Sequence, residues 1–142
     1  INSADLLAAM PERDSAQKVL ETYAKSLEKT LVEMQTEVEA KYQKYMAEQN
    51  TMNEIVKQSK EKEIQDMQAR LTDFQKTAQE EVSKKEQELV SPILDKAKKA
   101  IEEVAKENGY TYILDTSAGM VLYFDKGDDI IALVKKKLGI IK

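Results

Sequence analysis

The chain has 142 residues, 42% of them hydrophobic and 34% charged, with 4 Gly, 2 Pro, no Trp and a formal net charge of −4. Its length suits one domain, and its abundance of Ala, Glu, Lys and Gln suits long helix or coiled coil better than an ordinary globular core. There is no Cys and no His, which excludes disulfides, thiol nucleophiles, imidazole bases and ordinary zinc sites, and the acidic balance disfavours generic nucleic-acid binding.

Residues 3–10, SADLLAAM, read as a short helix capped by Asn2 or Ser3 and ended by Pro11, with Asp14 or Ser15 capping the next. A heptad stripe follows at Leu20, Ala24, Leu27, Leu31, Met34 and Val38, then Lys41, Tyr45, Glu48 and Met52, with the alternating spacing of a and d positions. The stripe degrades at Lys41 and Glu48, which predicts a looser seam beyond Val38. Asn50, Thr51 and Asn53 predict a tight turn near 50–54. A second stripe runs through Ile64, Met67, Leu71, Phe74, Ala78, Val82, Lys85 and Leu89, with a stutter at Ala78. The two stripes predict an antiparallel coiled-coil hairpin over 15–91, its arms on the order of 50 Å long.

Ser91-Pro92 predicts a kink or a restart of the returning helix, with Ser91 as cap and Pro92 in the first turn. Beyond it, Ile93, Ala97, Ala100, Ile101 and Val104 share one face, and Asn108-Gly109 is a stop signal. Two strands are predicted next, Tyr110–Leu114 and Met120–Phe124, and a closing helix over 128–138 capped by Asp128. The first strand carries Tyr110, Tyr112, Ile113 and Leu114, and the second Val121, Leu122, Tyr123 and Phe124, so both are apolar on both faces. Such a pair needs cover on both sides and is marginal alone. These eight residues are therefore the candidate oligomerisation surface. The fold class is mainly α with a small β body (α+β), in which 1–14 and 92–142 form the body.

No catalytic, cofactor-binding or metal-binding residues are assigned, and the chain reads as a non-enzyme without cofactors. The glycines Gly109, Gly119, Gly127 and Gly139 form no phosphate loop. The adjacent carboxylates Glu80-Glu81, Glu102-Glu103 and Asp128-Asp129 do not face one another on a helix and read as solvated faces or caps. No run of about 18 apolar residues marks a spanning helix. Lys135–Lys137 complement the dipole of the closing helix, with membrane-surface contact as the lesser reading. Tyr42, Tyr45, Met46, Met52, Ile55 and Val56 lie where the seam weakens, and ordinary packing and contact with a client chain are equally weighted readings of them.

The segments INSADLLAAMPE, SKKEQELVSPILDKAKKAIEEVAKENGYTYILDTS and DDIIALVKKKLG, in this order, resemble the Skp/OmpH-like periplasmic chaperones over essentially the whole chain. The resemblance implies a homotrimer in which strands from three chains build a β-barrel body and the hairpins surround a cavity. It implies periplasmic, ATP-independent holding of unfolded outer-membrane proteins, with no nucleic-acid partner. One departure is visible: the best-known member is strongly basic, whereas this chain has 6 Lys and Arg against 8 Asp and Glu over 12–53 and 4 against 6 over 64–91. No lipid-binding residue is carried over. The alternatives are a coiled-coil spacer or scaffold and a prefoldin-like cytosolic holdase.

Overall fold

The computed structural model describes every residue except Met120, Phe124, Lys126, Ile141 and Lys142. Among the described residues, the regular structure consists of four α-helices and one 3₁₀ turn: α1 (Ser3–Ala8), α2 (Pro11–Glu48), the 3₁₀ turn Gln49–Thr51, α3 (Glu54–Asn108) and α4 (Ile131–Lys137). The chain divides into two compact units, one of residues 1–19 and 86–142 and the other of 20–85.

The 20–85 unit is a pair of antiparallel helices. Side-chain bonds join Tyr23 to Glu81, Lys41 to Glu63 and Tyr45 to Glu61, closing in order towards the turn. The apolar positions of both stripes lie on the half-buried or buried side of their helices. Each such residue meets only one partner helix, so most remain half-exposed, and Ile64 and Met67 alone are buried hydrophobics of this unit among the described residues. The turn is made by the 3₁₀ residues and by Asn53, whose side chain accepts from the Val56 N–H at 3.0 Å. Seven residues beyond the stutter position Ala78, the Lys85 ammonium lies 6.0 Å from the Tyr23 ring centroid.

The expected loosening beyond Val38 is corrected. The two buried residues of the unit lie on that stretch, and the polar positions are closed by pairing. Lys41 Nζ bonds the Glu63 carboxylate at 2.5 Å, and the Tyr45 hydroxyl donates to Glu61. Long stems can lie along an apolar seam while their polar ends reach the rim, which is how Lys and Tyr substitute there for Leu.

In the 1–19/86–142 unit the core is one cluster: Leu6, Met10, Ile93, Ala97, Ala100, Val104, Ile130 and Val134. α1 and α4 have 6 and 7 residues, too short to persist alone, and are held by packing on the α3 face. Asn2 caps α1, its Oδ1 accepting from Ala4 N and Asp5 N. α2 starts at Pro11 rather than at Asp14 or Ser15, because proline, lacking a donor, costs nothing in a first turn.

α3 runs unbroken through Pro92, against the expected restart. Pro92 is exposed, so its ring lies on the solvent side of the helix. The face that follows it, Ile93, Ala97, Ala100 and Val104, is buried in the core cluster and fixes the helix there. The stop at Asn108-Gly109 holds. Gly109 has φ 73°, Tyr110 N donates to Ala105 O at 3.0 Å and Gly109 N to Lys106 O at 3.4 Å, the two bonds of a Schellman end. Replacing Gly109 by Ala forces a side chain into that left-handed backbone and should cost about 1 kcal/mol, read as a lower urea midpoint.

The predicted strands are not formed. Among the described residues there is no strand, and Met120 and Phe124 lie outside them. A two-stranded hairpin without cover is marginal, and the backbone of the 114–116 stretch bonds instead to Ile1. The closing helix begins at Ile131, not Asp128, and it is Asp129 Oδ1 that accepts from Ile131 N, at 3.0 Å. Asp128 instead accepts from the Tyr110 hydroxyl at 2.9 Å, which raises the phenol pKa.

Candidate functional site

Two surfaces carry the sequence-derived candidates, one in each unit. In the 20–85 unit the structure separates the six client-contact candidates. Tyr42 and Met46, four residues apart on one face of α2, are exposed, as are Ile55 and Val56 in the first turn of α3. Tyr45 and Met52 are half-buried and belong to the seam. The Tyr45 hydroxyl is held by the Glu61 carboxylate, and that bond pushes its pKa up to about 12. Met46 is oriented by Gln49, whose amide nitrogen lies 3.4 Å from both Met46 O and Sδ. Val32 is a further exposed apolar residue on the Tyr42–Met46 side of α2. Sequence reading passed over it because it falls in a stretch where the apolar stripe was assigned to the seam.

Around Lys41 the surface carries two hollows, of about 220 and 190 Å³. Met34, Val38 and Met67 line the first; Tyr45, Met52 and Ile64 line the second. Lys41 is set between them by Glu63, whose carboxyl is held below the usual range by Lys41 first and then Lys60.

In the 1–19/86–142 unit, the candidate oligomerisation residues fall into two groups. Tyr110 and Ile113 pack against the core cluster, and Val121 is half-buried. Tyr112, Leu114, Leu122 and Tyr123 stand in solvent, 83%, 63%, 95% and 80% exposed. A hollow of about 310 Å³ opens beside them, lined by Ile1, Tyr110, Tyr112, Leu114, Val121 and Ile130 among others. Phe124 lies outside the described residues.

One constellation here was not foreseen. Asp115 Oδ1 accepts from Ser3 N at 3.1 Å and Ser117 N at 2.9 Å, and Oδ2 accepts from Ser3 Oγ at 2.5 Å. The Asp-Thr-Ser run signals the local turn, with the carboxylate bonding two residues on. Nothing local signals a partner 112 residues away. These donors hold the Asp115 carboxyl far below the usual carboxylate range, the Ser3 hydroxyl contributing most. A carboxyl lowered in the folded state stabilises it above the unfolded value, 3.8 here, and that contribution is lost progressively as pH falls from there through the folded value. The Asp115 carboxyl should therefore remain ionised at pH 3 in an NMR titration, whereas an unrestrained aspartate is then mostly protonated.

Among the described residues, no group of three or more acidic side chains is placed to hold a metal, and no helix is long and apolar enough to cross a membrane. The architecture is that of a helical coiled-coil protein with large apolar side chains exposed in each unit. The family model described as outer membrane protein (OmpH-like) matches residues 1–138, and the chain belongs to the OmpH-like family. A search of the curated proteins finds no match.

Proposed function

We propose that this protein is an ATP-independent holdase of the periplasm that binds unfolded outer-membrane β-barrel proteins and keeps them from aggregating. Residues 1–14 and 92–142 serve as an assembly body that joins three copies through a β-barrel built from the 110–124 segments, and 15–91 serve as the client-binding arm. Family membership over 1–138 supports the chaperone class. The observation that carries the reading is the exposed aromatic, thioether and aliphatic surface of Tyr42, Met46, Ile55 and Val56. Residues of this kind make adaptable, weakly selective contacts. Weak contacts from several arms sum to useful affinity, and release follows when the client folds elsewhere.

A coiled-coil spacer would have no use for an outward apolar face beside its seam, which sets that reading behind this one. The test is dilution of a urea-unfolded outer-membrane β-barrel protein into buffer with the purified chain. Turbidity should be suppressed near one assembly per client, and aggregation unchanged by an excess of the chain would refute holding.

A further inference from the structure

We propose that Asp115 is a positioning residue for self-assembly, its bonds to Ser3 and Ser117 setting the pleat in which Tyr112 and Leu114 face outward. The inference rests on the self-association reading above and adds the device that prepares the surface.

The clamp joins residues 1–3 to 114–117 by bonds of two kinds. Besides the three bonds to the Asp115 carboxylate, Ile1 N donates to Leu114 O at 3.2 Å, and Ile1 O accepts from Thr116 N at 2.9 Å. Ser3 Oγ also lies 3.0 Å from Ser117 Oγ. The two Ile1 bonds straddle Asp115 with the register of a parallel bridge, and the carboxylate reaches across to the start of α1. α1 is in turn fixed by Leu6 and Met10 in the core cluster. The clamp thus refers the 112–117 segment to the most deeply buried part of the unit.

The consequence is a parity. Along 112–115 exposure alternates: Tyr112 and Leu114 are exposed, Ile113 packs on the core and Asp115 is half-buried in the clamp. A segment of period two that slips by one residue exchanges its faces. Such a slip would turn Tyr112 and Leu114 inward and present Ile113 and a charged carboxylate to the neighbouring copy. The Ile1 bridge and the Asp115 anchor together set that register, the carboxylate tying it to the start of α1.

The test compares wild type with Asp115→Ala, Asp115→Asn and, as a control elsewhere in the same unit, Glu12→Ala, which removes the ion pair with Lys96. Hydrogen exchange at Thr116 N–H and the dissociation constant from sedimentation equilibrium are read together, with helix content from circular dichroism. Asp115→Ala should speed exchange at Thr116 by roughly tenfold and weaken self-association by roughly tenfold, with helix content unchanged. Asp115→Asn keeps an acceptor for both amides and should stay within about threefold of wild type, as should Glu12→Ala. Unchanged exchange overturns the clamp, and raised exchange with unchanged association overturns its role in assembly. A wild-type chain that does not associate refutes the self-association reading instead, and exchange at Thr116 still decides whether the clamp exists.

Discussion

Leu6→Ala should destabilise the 1–19/86–142 unit by about 3 kcal/mol, in the range for a fully buried leucine whose site cannot collapse. Leu6 and Val134 have no accessible surface, and both belong to the single cluster that holds α1 and α4 on α3. Neither short helix has enough internal hydrogen bonds to survive without that cluster. A cavity there should therefore release both, and with α1 the Ser3 end of the Asp115 clamp. The contrast is Leu31→Ala in the 20–85 unit, a half-buried seam position. It removes less buried surface and should cost about 1 kcal/mol. Urea unfolding at fixed chain concentration checks both, and equal costs would mean that the cluster is not the stabilising centre described.

The second large effect is on client binding. The triple substitution Tyr42→Ala, Met46→Ala and Ile55→Ala should weaken binding of an unfolded β-barrel protein by roughly tenfold or more. All three side chains are exposed, and alanine favours helix, so helix content should hold. Tyr45→Phe is the matched control, since it removes only the hydroxyl bonded to Glu61 within the seam. Client affinity measured by fluorescence anisotropy should fall for the triple variant and stay near wild type for Tyr45→Phe. A triple variant that binds as wild type would place the client elsewhere.

Much of the helical architecture could be read from spacing. The residues of both stripes, the turn near Asn53 and the end at Gly109 follow from periodicity and from single residues with special backbone preferences. The misreadings have a common cause, in that each gave a local signal authority over packing. Pro92 argues for a break, but the buried face from Ile93 to Val104 outweighs one missing donor. Lys41 argues for a gap in the seam, but a partner on the other helix, Glu63, closes it. Asp128 and Asp129 are equivalent as caps in sequence, and only the position of Tyr110 decides that Asp128 is otherwise engaged. The Ser3–Asp115 bond was invisible because no periodicity links residues so far apart.

The 110–124 segment was marked by composition, and its eight apolar or aromatic candidates were legible as a group. Their division was not. Tyr110 and Ile113 pack within the chain, while Tyr112, Leu114, Leu122 and Tyr123 face out. That division sharpens the proposal, because the outward set is the surface a second copy would cover in the proposed assembly. Leaving several large apolar residues in water is costly at roughly 25 cal/mol per Å², and clustered exposure of this kind marks an interaction site.

The account therefore turns on whether copies of this chain associate through that surface. The most direct measurement is the solution mass of the full chain by light scattering at micromolar concentration. Three copies of a 16.1 kDa chain should give about 48 kDa. A mass of one chain across the concentration range would contradict the account, because the four exposed residues would then have no cover.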